Sequence, residues 1–247
     1  MTGTNQPTTK RESGNVLFLI LIAVALFAAL SYAVTSSTRS GGSTTEGEKA
    51  LLGSASLTQY PTALRTSIVR MILNGHDVRL IKFDVPGSDA YDTASSNLRV
   101  FHPDGGGAVH QTAQSTVMAT GNPGRWYHNA NFRVPHIGRD TGDGLANDLI
   151  AFMPGVSAIT CARVNQEMGI KEDACTSTQG GVPIVTLGAN VLQDIDDENE
   201  FPVNTAGTPI ECDNAFNNKA TGCFYDSSLA VGGVTGHYVF YSVILER

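Results

Sequence analysis

The chain has 247 residues, of which 41% are hydrophobic and only 16% charged, and its formal net charge is −7 at pH 7. The 16 Lys and Arg are scattered and outnumbered by 23 Asp and Glu. That balance excludes the clustered cations needed to hold nucleic-acid phosphates. High glycine content (26 residues) and low charge suit a loop-rich, β-containing extracytoplasmic domain better than a helical cytosolic enzyme.

The first 14 residues, MTGTNQPTTKRESG, are polar and carry Lys10 and Arg11. They run directly into Val16–Val34, 19 residues without a charge. As a helix this stretch is about 28 Å long, close to the roughly 30 Å hydrocarbon core of a bilayer. Positive charge ahead of a first apolar helix favours a cytoplasmic N-terminus and an exported C-terminal domain. The apolar run is longer than that of an ordinary secretory signal. Ala25 and Ala29 share one face of it and would permit close helix approach in lipid.

A basic leader ending in Gly14 directly before an unbroken apolar helix resembles the N-terminus of type IV prepilins and pseudopilins. The resemblance covers roughly residues 10–75. It implies cleavage by a membrane prepilin peptidase between Gly14 and Asn15, methylation of the new N-terminus, and retention of the helix for packing with other pilin-like subunits. The chain departs from the family pattern at Leu19, where members usually carry a glutamate, and at Asn15, where an aromatic residue or Met is common. Some minor pilins and pseudopilins lack the glutamate, so the departure points to a minor subunit.

Residues 36–48 are rich in Ser, Thr and Gly and read as a linker or a softened helical section. Helix signals resume near Lys49. Leu57, Tyr60, Leu64, Ile68 and Ile72 recur at three- and four-residue spacing, which makes one apolar face. Pro61 predicts a kink or a helix start, and Asn74-Gly75 a stop.

Beyond Val78 the pattern changes to short strands. Residues 78–83, 98–101, 126–134, 149–153 and 237–245 are the candidates, the last being the strongest. Residues 149–153 read as a buried strand ending at Pro154-Gly155. Residues 156–168 read as a helix carrying Cys161 and ended by Gly169. The expected fold is α+β: an N-terminal transmembrane helix (15–35) after a cytoplasmic leader (1–14), a soft linker (36–48), and a head (49–247). In the head an amphipathic helix packs on a mainly antiparallel sheet.

The four cysteines are Cys161, Cys175, Cys212 and Cys223. None has the CxxC spacing of a zinc site. Export makes disulfides their expected state. Three connectivities exist, and loop-closure entropy favours the sequential pairs Cys161–Cys175 and Cys212–Cys223. A strand at the C-terminus after a Cys212–Cys223 loop resembles the C-terminal disulfide region of pilin heads.

No catalytic constellation stands out, and no cofactor is expected. Asp140, Asp143, Asn147 and Asp148 gather oxygen ligands around two glycines, which is a candidate Ca²⁺ loop or an Asp-Gly turn before a strand. The EF-hand pattern is not met. Asp194, Asp196, Asp197, Glu198 and Glu200 form an acidic run that reads as a solvated face. The histidines (76, 102, 110, 128, 136 and 237) match no zinc motif. Dinucleotide, P-loop and nucleophile-elbow patterns are also missing. The sequence therefore points to a single-pass inner-membrane subunit of an envelope filament or secretion apparatus, with its head periplasmic or extracellular. The alternatives are a periplasmic binding or sensor module that does not polymerise and, ranked lower, an anchored hydrolase.

Overall fold

The computed structural model describes residues 13–139, 147–197, 199–202, 207–231 and 234–247. The chain divides into two units, Met1–Glu48 and Lys49–Arg247. Helix α1, Ser13–Leu73, contributes to both. Its backbone is helical across 36–48, where sequence predicts a linker. Each glycine inside a helix costs about 1 kcal/mol. Gly41-Gly42 does not outweigh propagation from turns already formed on either side.

In the second unit α1 buries Leu57, Tyr60, Leu64, Ile68 and Met71. Pro61 lies inside the helix and does not start it. Its missing N–H and ring cost about 3 kcal/mol. Burial of the apolar face offsets this, at about 1.5–3 kcal/mol for each large side chain. The helix stops where the sequence says it should. Gly75 takes a left-handed φ of 93°, and the N–H groups of Gly75 and His76 close on the carbonyls of Ile72 and Met71. That pair of bonds is a Schellman ending.

Residues 78–83 are not a strand. Asp77 accepts the Arg79 N–H (2.9 Å) and starts a 3₁₀ turn, Val78–Leu80. Only a single bridge, Lys82 to Arg99, links this region to 98–101, which is itself entered from a 3₁₀ turn at Ser96–Leu98. The predicted strand 126–134 is two strands in two sheets: β1, Tyr127–Asn129, and β2, Phe132–Arg133. Asn129 Oδ1 accepts the Asn131 N–H (3.3 Å), a local turn that breaks the ladder between them.

β3, Leu149–Val156, continues through Pro154-Gly155 with a register shift. β1 pairs only with Ile150–Phe152, so Pro154 sits past the end of that ladder, where a missing donor is tolerated. α2, Ala158–Met168, forms as predicted. Ser157 caps its N-terminus, and Gly169 (φ 62°) ends it. Short ribbons follow: β4, Thr178–Gln179, with β5, Val182–Pro183, and β6, Thr208–Pro209, with β2. β7, Thr221–Val231, and β8, Val234–Leu245, complete the main sheet.

The main sheet is antiparallel throughout, in the order β1-β3-β8-β7. Its side chains alternate between two cores. Leu149, Ala151, Met153, Phe240 and Ile244 meet α1 and α2 on one face. Ile150, Phe152, Val239, Tyr241 and Val243 meet Phe132, Phe216 and Phe224 on the other. The head is thus α+β, with helices on one face and irregular chain on the other.

Both disulfides form, but not between sequential cysteines. Cys161 pairs with Cys223 (Cα–Cα 5.4 Å) and Cys175 with Cys212 (5.2 Å). Cys161 and Cys223 lie in the helix-side core, whereas Cys175 and Cys212 pack with the opposite core. The sequential bonds would have to cross the sheet. The longer loops cost only about 1 kcal/mol more per bridge, far too little to override that topology.

Candidate assembly surface

Among the described residues, two stretches of α1 expose apolar side chains: one without charge, the other interrupted by the exposed Arg65 and Arg70. In the first unit, all 16 described side chains from Leu17 to Tyr32 are exposed, and none is charged. They include Phe18, Phe27, Leu30 and Tyr32. Among the described residues no helix is long and apolar enough to cross a membrane. Gly14 and Asn15 fall within α1, outside the described side chains.

In the second unit the outer face of α1 presents Leu52, Ala55, Gln59, Thr62, Ala63, Thr66, Val69 and Leu73 to solvent. Leu52 and Leu73 are 73% and 81% exposed, values that usually belong to polar residues. The Thr58, Thr62 and Thr66 hydroxyls donate to the Ala55, Thr58 and Thr62 carbonyls, at 3.0, 2.9 and 3.2 Å. The polarity of those threonines is turned onto the helix itself. Arg65 leans off the strip toward Glu246 (3.7 Å). Arg70, at the end of the strip, reaches across to donate to the Gly106 carbonyl. That bond pins the glycine-rich loop beside the helix. Between helix and loop lies a groove of about 410 Å³ without a charged residue in its lining, its outer wall formed by Gly107, Ala108 and Val109. Val109 is 77% exposed.

The acidic run is a solvated face only in part: Asp197 and Glu200 are exposed, whereas Asp194 is buried. Asp194 is buried and accepts the His128 N–H (2.7 Å), faces His128 Nδ1 (3.2 Å) and accepts from Arg125 (3.0 Å). Burial pushes its carboxyl up, but His128 and Arg125 outweigh that and hold it below the ordinary range. Asp197 pairs with Lys82 and with Arg99 (2.9 Å). Arg99 is fully buried and also bonds Asp84 at 3.0 Å. Asp196 accepts the Asn199 N–H (2.7 Å). Glu200 is exposed, and Glu198 lies outside the described residues. These pairings fasten the 194–201 segment to strand β1 and to residues 82–99. The cationic partners Arg125, Arg99 and Lys82 are 69 to 115 positions away in sequence, so sequence reasoning missed them.

Of the calcium candidates, Asp140 and Asp143 lie outside the described residues. Asn147 and Asp148 are buried. The Asp148 carboxylate accepts the Val134 N–H (2.8 Å) and the Arg247 N–H (3.4 Å), clasping β2 and the C-terminal residue together. Burial pushes its carboxyl up to about 6. Cys175, Cys212 and Asp213 bring three metal-type ligand atoms within 4.8 Å of one another. The two sulfurs are bonded to each other, so they offer no thiolate to a metal. His128 stacks on Phe83 (4.5 Å) inside the core.

Comparison with protein-family models, with curated proteins and with solved structures finds no match to this chain.

Proposed function

We propose that this chain is a membrane-anchored structural subunit, of minor pilin or pseudopilin type, in an envelope filament or secretion apparatus. The observation that carries the reading is the run of 16 consecutive exposed, uncharged side chains from Leu17 to Tyr32. In water such a surface is an association or aggregation site. In a bilayer it is at home, and in a filament it becomes buried against copies of itself. Lys10, Arg11 and Gly14 place a processing signal directly ahead of it. The segment anchors the chain in the inner membrane with its N-terminus cytoplasmic, and prepilin peptidase cuts between Gly14 and Asn15. The head faces outward, stiffened by two disulfides that suit an oxidising compartment.

Mass spectrometry of the chain purified from host membranes tests this. The expected N-terminus is methylated Asn15, and Gly14→Ala accumulates the unprocessed form. An intact Met1 in a host that carries the peptidase overturns the reading in favour of a non-polymerising binding or sensor module.

A further inference from the structure

We infer that the cavity between the Asp77 turn and the segment ending at Phe201 binds a free α-amino acid with a large aliphatic side chain, its carboxylate on Arg247 and its ammonium on Glu200. The site is independent of the assembly reading, because every residue in it lies in the second unit. The cavity holds about 310 Å³, at the lower end of the range that small-molecule sites occupy. Ile81, Ile195 and Phe201 are buried in the head and turn an apolar floor to it. Half-exposed Leu80 extends that floor to the rim.

The charges around the cavity set the class of ligand. Arg79 is taken by Asp77, and Lys82 by Asp197. Among the described residues, Glu200 and Arg247 have no ion pair. Glu200 is exposed and lines the cavity. The Arg247 guanidinium rests on the Phe201 ring, 4.7 Å from its centroid. Glu200 precedes Phe201 in the chain, so an unpaired acid and an unpaired base come to one wall. The root of Arg247 is fixed: its N–H donates to Asp148 (3.4 Å), and its carbonyl accepts the Arg139 N–H. Burial and the nearby charge of Arg79 hold this guanidinium below its usual range, against the opposing pull of Asp77. An anion placed beside it relieves that repulsion.

A plain carboxylate would satisfy Arg247 but meet Glu200 with like charge, and a plain amine would do the reverse. A ligand bearing both groups satisfies each and brings no net charge onto the apolar floor. Both bonds are then charge-assisted, the stronger kind. In an α-amino acid the two groups stand on one carbon, so both reach one wall while the side chain turns to Ile81, Ile195 and Phe201. Each methylene buried there adds to affinity. The end of a peptide carries only one of the two charged groups and leaves the other wall charge unpaired.

Equilibrium dialysis of the purified full-length chain against radiolabelled L-leucine tests the site. Saturable binding of one leucine per chain is expected, with a Kd below about 1 mM. N-acetyl-L-leucine lacks the ammonium, L-leucinamide the carboxylate and glycine the side chain. Each should compete at least about tenfold more weakly than unlabelled leucine, the loss that follows when one charged or apolar contact is removed. Glu200→Gln and Arg247→Gln, both outside the buried core, should each weaken leucine by a similar factor without shifting thermal unfolding by more than a few degrees. Absence of saturable binding up to about 1 mM overturns the site. So does competition by the three analogues at the strength of leucine itself, or full binding retained in both variants. The N-terminal leader and apolar segment take no part, so none of these outcomes bears on the processing test of the assembly reading.

Discussion

Asp148 allows a prediction in which the sign carries the information. Its side chain is fully buried, and its carboxyl is pushed from 3.8 to about 6, chiefly by burial. The N–H groups of Val134 and Arg247 and the charge of Arg133 oppose the shift, and Glu246 adds to it. The folded state therefore holds a proton that the unfolded state has already released between about pH 4 and pH 6. Stability contributed by this group is highest at acid pH and falls as pH rises through that window. Two pKa units at 1.36 kcal/mol each set the loss at up to about 3 kcal/mol above pH 6. Asp148→Asn removes the ionisation. Its amide oxygen can still accept from Val134, while its NH₂ faces the Arg247 N–H and forfeits about 1 kcal/mol. The variant should thus be more stable than the parent by about 1–2 kcal/mol at pH 7.5 and less stable by about 1 kcal/mol at pH 3.5. Chemical denaturation of the full chain at both pH values measures the difference. The other titrating groups cancel between parent and variant, so stability profiles that run parallel from pH 3.5 to 7.5 would refute the reasoning.

Asn165 on α2 donates to the Cys223 carbonyl and accepts the Cys223 N–H, both at 2.8 Å. Asn165→Leu strands two buried backbone groups of β7 and should cost about 2–5 kcal/mol in unfolding experiments; a loss below 1 kcal/mol would mean that water replaces the side chain. Leu64→Ala, at a fully buried position of α1, should cost about 2–5 kcal/mol, whereas Leu73→Ala should change stability by less than about 0.5 kcal/mol. Equal effects would place both residues in the same environment. Peptide mapping without reduction should recover Cys161–Cys223 and Cys175–Cys212, and recovery of Cys161–Cys175 would contradict the two-core arrangement.

What could be read in advance was whatever local chemistry dictates. The apolar face of α1, its stop at Asn74-Gly75, and α2 between Ser157 and Gly169 depend on residues within a turn or two of each other. The strands were harder. β8 announces itself by composition, but β7 is interrupted by Gly222, Asp226, Ser227 and Ser228 and becomes a strand because β8 lies beside it. Residues 78–83 have strand-like composition but no adjacent ladder, and the Asp77 turn prevails. Of the candidate surface, the exposed apolar positions of α1 are visible as helical spacing. The groove is not, because Arg70 and Gly106 must first meet across 36 positions.

By itself, then, the sequence determined the apolar segment Val16–Val34 with its charged leader, the helix faces, and the presence of an even set of cysteines. Each follows from composition or short-range periodicity, which no distant contact can change. Only the tertiary structure decided which cysteines join, which cations pair with Asp194 and Asp197, and where α1 stays bare. The sheet separates residues close in sequence onto opposite faces and brings distant ones together. Once the backbone is so arranged, the loop-entropy differences of about 1 kcal/mol that sequence reasoning can weigh are smaller than the cost of breaking a core.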